Sequence, residues 1–68
     1  MCDKTLLLAK MRQCQINARQ LSRLIGLSES AFSRRINGKS SFMTDEVEQL
    51  CEILSITANA EKIRIFLL

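Results

Sequence analysis

Apolar side chains recur at helical spacing along most of the chain, and the polar residues between them supply the breaks. Leu7, Leu8, Met11 and Cys14 predict an amphipathic helix from about Lys4 to Gln13, with Asp3 as its cap and Lys10 and Arg12 facing out. Residues 1–4 read as a loose arm. Ala18, Leu21, Ser22 and Ile25 fall at i, i+3, i+4 and i+7, one face of a second helix over about 17–25. Asn17 is placed to cap it, with Ile16 as an apolar staple before the cap. Gly26 stands where that helix must stop, and Leu27 points inward. Ser28 caps a third helix over about 28–36, whose Phe32 and Ile36 share a buried side one turn apart. Asn37-Gly38 ends it, because both residues tolerate positive φ. Phe42 is expected back in the core.

A fourth helix comes next, with Thr44 as its cap and Asp45 and Glu46 in its first turn, complementing the positive end of the helix dipole. Val47, Leu50, Cys51 and Leu54 make its inner stripe, and Glu48 and Glu52 lie outside. Thr57 is a candidate cap for a short segment through about Ala58–Ile63. Residues 63–68 then hold five apolar residues of six, and a helix or an extended segment fits them equally. These elements predict an all-α fold: one compact four- to five-helix bundle spanning residues 1–68. At its centre two helices are joined by a tight, glycine-containing turn, a helix-turn-helix over residues 17–37.

The outer face of the third helix carries the candidate chemistry. Glu29, Ser30, Ser33 and Arg34 fall where Phe32 and Ile36 do not, so they project to solvent. Arginine suits guanine, glutamate the cytosine amino group, and serine several partners. Arg35 points about 100° away from Arg34 and is expected on a phosphate or a carboxylate.

Residues 6–57 resemble the lambda-repressor-like superfamily, the Cro/Xre group of phage and bacterial repressors. Leu21, Gly26, Leu27-Ser28, Phe32-Ser33-Arg34 and Asn37-Gly38-Lys39 carry the likeness, and the stretch FMTDEVEQLCEILSIT resembles the family's fourth helix and its Leu-x-Ile ending. The resemblance implies a transcriptional regulator that lays its third helix in the major groove of double-stranded DNA. Glu29, Ser30, Arg34 and Ser33 would then contact bases. Asn17, Arg19, Arg35, Asn37, Lys39, Ser40 and Ser41 would contact phosphate and fix the register. Two positions depart from the family pattern. Ala18 stands where a phosphate-contacting Gln is usual, which removes one expected contact, and Ser22 stands where a small Ala is usual.

Charge sharpens this picture. Residues 1–42 hold eight basic against two acidic side chains, a balance of +6, whereas residues 43–68 hold two against five, a balance of −3. A basic half joined to an acidic half implies a polyanion on one side only. Sixty-eight residues make a small core, so a second copy would help both stability and specificity. The apolar end, Ile65, Phe66, Leu67 and Leu68, either packs back on its own core or meets the same segment of a second chain. We read it as the contact of a homodimer, formed before or only upon DNA binding.

Other classes find little support. No histidine is present for acid–base, triad or zinc chemistry, and the three cysteines are scattered without a Cys-x-x-Cys pair. We therefore expect no enzyme activity, metal, cofactor or small-molecule ligand. The odd cysteine count without a secretory signal points to a cytoplasmic protein, and Leu6-Leu7-Leu8-Ala9 is too short to span a membrane. The rival reading is a protein-binding adaptor or anti-repressor that uses the same fold without touching DNA.

Overall fold

The computed structural model describes residues 2–67 and places five helices there: α1 Lys4–Gln13, α2 Ala18–Leu24, α3 Glu29–Ile36, α4 Thr44–Ile53 and α5 Asn59–Phe66. No strand occurs among the described residues, and no described helix is long and apolar enough to cross a membrane. The core draws on every helix: Leu7 and Met11 from α1, Leu21 from α2, Phe32 and Ile36 from α3, Val47, Leu50 and Cys51 from α4, and Ile65 and Phe66 from α5. Phe42 returns to it as expected, edge-on between Phe32 and Phe66 with both ring centroids 6.0 Å away. That geometry suits the ring quadrupoles.

The helices end in one way. After α1, α2, α3 and α4 the chain turns through a left-handed residue: Gln15 (φ 54°), Gly26 (φ 74°), Gly38 (φ 80°) and Ser55 (φ 56°). Each turn closes with the paired bonds of a Schellman motif, for instance Gly26 N–H to the Arg23 carbonyl at 3.2 Å and Leu27 N–H to the Ser22 carbonyl at 2.9 Å. The residue after the left-handed one is apolar at Ile16, Leu27 and Ile56, and it tucks against the core. After α3 that residue is the exposed Lys39. The glycines at two turns were legible; Gln15 and Ser55, which bear the steric cost of a Cβ in this conformation, were not.

Several expectations need correction. Residues 2–4 are not a loose arm: Asp3 N–H donates to the Ile65 carbonyl at 2.6 Å, and the Cys2 thiol lies 3.8 and 3.7 Å from the Arg35 and Ile36 carbonyls. Ala18 is exposed, because the inner face of the short α2 is filled by Leu21, Ser22 and, at its cap, Ile25. Cys14 is exposed as well, being the cap of α1, with its thiol turned to the Leu54 carbonyl at 3.5 Å. Thr44 is the first residue of α4, and Met43 holds the cap position. The thioether there is too weak an acceptor to cap the helix, but the other half of a capping box survives as Met43 N–H donates to Glu46 Oε1 at 2.8 Å. At α5 the cap position falls on Ala58, not Thr57, and the helix runs on to Phe66 because Ile65 and Phe66 are needed inside.

That last point removes half of the expected dimer contact. Ile65 and Phe66 are 3 % and 4 % exposed within their own chain, so their area is spent on the core and is not offered to a second copy. Leu67 is exposed, and Leu68 lies outside the described residues.

Of the two partners expected for Arg35, a phosphate or a carboxylate, the structure supplies the carboxylate. The Arg35 Nε lies 3.0 Å from Glu46 Oε1, and both side chains are largely buried between α3 and α4. The Nε–H is not aimed along that line, so the contact is an ion pair and not a well-formed hydrogen bond. Glu46 is therefore an inward-facing member of α4, unlike Glu48 and Glu52, which are exposed.

The turns and the buried pair make measurable demands on stability. Ser55→Gly should raise stability by about 0.5–1 kcal/mol, the relief of Cβ strain outweighing the added unfolded-state entropy. Gly26→Ala should lower it by about 1 kcal/mol through backbone strain alone, because a Cβ there meets nothing within 4 Å. Urea denaturation checks both, and a Ser55→Gly protein weaker than its parent would contradict the account of the turns. Glu46→Ala should cost about 2–4 kcal/mol by leaving the Arg35 charge unpaired, somewhat less than for a fully buried pair. Joint replacement, Arg35→Met with Glu46→Leu, should recover most of that loss in the same measurement.

Candidate nucleic-acid interface

The interface is assembled by the turn between α2 and α3. Ile25 caps the end of α2, Gly26 reverses the chain, half-buried Leu27 anchors the turn, and the Ser28 hydroxyl accepts the Ala31 N–H at 3.1 Å to open α3. Ser22, the unusual residue on the inner face of α2, is 1 % exposed and satisfied, its hydroxyl donating to the Arg19 carbonyl at 2.9 Å. Burial of a polar group there costs little once that bond is made. The start of α2 is tied by a full capping box: Asn17 Oδ1 accepts from Gln20 N–H at 2.8 Å, and Gln20 Oε1 accepts from Asn17 N–H at 3.0 Å. The Asn-x-x-Gln spacing carries the second half of that box as well as the cap.

With Phe32 and Ile36 buried, α3 presents Glu29, Ser30, Ser33 and Arg34 on its exposed side, with Asn37 at its cap. Glu29 and Arg34 are separated by about 7.5 Å along the axis, the length of roughly two base-pair steps. The Arg19 Nε stands 3.9 Å from Glu29 Oε1, both side chains being well exposed, so the expected phosphate contact and the expected base contact sit beside each other. Arg19, Arg23, Ser28, Glu29 and Ser30 line a shallow cleft between α2 and α3.

Asn37 is engaged on both sides. Its Nδ2 donates to the Ser33 carbonyl at 2.9 Å and reaches the Ser33 hydroxyl at 3.3 Å, and its Oδ1 accepts from Lys4 Nζ at 2.7 Å. Lys4 is thus brought from the first helix to the end of α3, a placement that spacing along the chain does not reveal. Lys39, Ser40 and Ser41 are all exposed in the loop beyond. The backbone N–H groups of Lys39 and Ser40 are not free for an anion, however, because both donate to the Arg34 carbonyl, at 2.9 and 3.3 Å. What this loop offers from those two residues is the ammonium and the hydroxyl.

The arrangement brings Asn17, Arg19, Glu29, Ser30, Ser33, Arg34, Asn37, Lys39, Ser40 and Ser41 to the surface and withholds Arg35. Lys10, by contrast, pairs with Glu61 across α1 and α5 at 3.3 Å. The acidic exterior of α4 carries Asp45, Glu48 and Glu52.

Burial pushes the Cys2 and Cys51 thiols up from their ordinary range, which keeps both protonated and poorly nucleophilic near neutral pH. No group of three or more potential metal ligands gathers among the described residues.

No curated protein and no solved structure matches the chain. Residues 7–59 match the family described as the Cro/C1-type HTH DNA-binding domain, a span that runs from within α1 to the first residue of α5. The chain therefore belongs to the Cro/C1-type helix-turn-helix family of DNA-binding domains.

Proposed function

We propose that this protein is a sequence-specific transcriptional regulator of the phage Cro or repressor type, reading an inverted-repeat operator as a dimer. One observation carries the reading: Glu29, Ser30, Ser33 and Arg34 stand together on the exposed side of a helix whose opposite side is locked in the core. In the major groove every base pair shows a distinct pattern of donors and acceptors, and these four side chains supply both kinds of partner. Arg34 takes guanine, Glu29 a cytosine amino group, and Ser30 and Ser33 the edges between. Arg19, Asn17, Asn37, Lys39, Ser40 and Ser41 flank them and hold phosphate, which sets register without reading sequence. The acidic exterior of α4 must then face away from the duplex, since like charge repels the backbone. An adaptor role would favour an acidic or apolar α3 face, and Glu29, with Arg19 beside it, is its sole support there.

Selection of bound sites from a random duplex library tests the reading. It should return an inverted repeat with half-sites about 34 Å apart, bound less tightly as salt rises. In that setting Arg34→Ala should cost about 1–3 kcal/mol and relax preference at one base pair. No enrichment, a flat salt response, or an Arg34→Ala effect equal on all sequences would count against the assignment.

Self-association belongs to the outer side of α5 in this reading. Ile63 and Leu67 lie one turn apart and are 49 % and 55 % exposed, an apolar pair beyond the core-facing Ile65 and Phe66. Ile63→Glu should shift sedimentation of the DNA complex from two chains toward one while leaving the fold intact. Deleting residues 65–68 should instead unfold the protein, as it removes two core side chains. An unchanged complex with Ile63→Glu would place the dimer contact elsewhere.

A further inference from the structure

The row Lys4–Asn37–Ser33 crosses the C-terminal end of α3, and its chemistry is unambiguous. A lysine ammonium only donates and a backbone carbonyl only accepts. Asn37 meets the Lys4 Nζ at 2.7 Å on one side and the Ser33 carbonyl at 2.9 Å on the other. Its amide must therefore set oxygen toward Lys4 and nitrogen toward Ser33; the flipped orientation would oppose two donors and two acceptors. The same nitrogen lies 3.3 Å from Ser33 Oγ. It has only hydrogens to offer, so the serine oxygen is the acceptor in that contact. The hydroxyl hydrogen is thereby left to point elsewhere, toward whatever faces α3.

We infer that Lys4, acting through Asn37, is a positioning residue that biases the Ser33 hydroxyl toward donating, so that an acceptor is preferred on the base edge opposite Ser33. This rests on the DNA-reading role of α3 proposed above. Acceptors in the major groove are guanine O6 and N7, adenine N7 and thymine O4, whereas the cytosine amino group is a donor, has only the oxygen's one remaining lone pair to meet, and is disfavoured. Lys4 is held for this task. The residue before it is anchored by the Asp3 N–H bond to the Ile65 carbonyl, and the Cys2 thiol lies against the Arg35 and Ile36 carbonyls. Its positive charge also lies at the C-terminal end of α3, where the helix dipole welcomes a cation.

The test compares the parent with Lys4→Met, Lys4→Arg, Ser33→Ala and the Lys4→Met/Ser33→Ala double variant on the selected duplex and all its single-base variants, at fixed salt. Lys4 and Ser33 are both exposed, so the variants should fold. At the base pair read by Ser33 the parent should prefer an acceptor by roughly threefold or more, the strength of one ordinary hydrogen bond. Lys4→Met and Ser33→Ala should each erase that preference at the same base pair, the double variant should erase no more, and Lys4→Arg should keep it. If Lys4→Met weakens all duplexes alike with discrimination intact, Lys4 is a plain phosphate contact and the inference is overturned. It is overturned too if Ser33→Ala leaves every preference unchanged or if the two variants relax different base pairs. A parent protein that binds no duplex would bring down the DNA reading itself, before any variant is compared.

Discussion

Everything at the surface of this protein depends on the burial of Phe32 and Ile36. An α3 of eight residues has little more than two turns, so fixing one face in the core fixes the other in solvent. Phe32 is 1 % exposed and is braced edge-on by Phe42, which in turn meets Phe66 of the last helix. The aromatic row therefore joins the recognition face to the far end of the chain. A helix held in this way presents its outer side chains at fixed positions, the preorganisation that the proposed reading of base edges requires.

The ion pair between Arg35 and Glu46 adds to this constraint at a cost. Taking two charges out of water is unfavourable, and their attraction does little more than offset it. Here the carboxylate also accepts the Met43 N–H, so one group closes the first turn of α4 and ties it to α3. The pair thus joins α3 to α4 by a charge contact that apolar packing alone lacks. It also divides the two neighbouring arginines: Arg35 is committed to structure, and Arg34 is free to face a ligand.

Much of the architecture was legible in the chain itself, and the failures share a cause. Helices announced by a stripe and a polar cap, such as the one that Asn17 opens or the stripe Val47, Leu50, Cys51 and Leu54, appear where the periodicity puts them. The outward Ser30 and Arg34 were legible for the same reason, because local phase decides them once Phe32 is inside; Glu29, seven residues before Ile36, shares the inner phase and is exposed as the first residue of α3. What local phase cannot show is contact between distant segments. Lys4 meeting Asn37, Asp3 meeting Ile65 and Arg35 meeting Glu46 each join parts of the chain more than ten residues apart. The apolar C-terminal run misled because hydrophobicity alone does not say whose core it enters. Ile65 and Phe66 enter their own. The spent amides of Lys39 and Ser40 are a local matter instead: the turn that Gly38 makes at the end of α3 brings them to the Arg34 carbonyl.

The central claim is that the exposed side of α3 meets base edges, with α4's acidic exterior turned away. Amide chemical-shift mapping during titration with the selected duplex tests it most directly. The account predicts the largest shifts at Glu29, Ser30, Ser33 and Arg34, smaller ones at Arg19 and through Lys39–Ser41, and none of consequence at Glu48 and Glu52. Shifts concentrated on α4, with α3 unmoved, would contradict it.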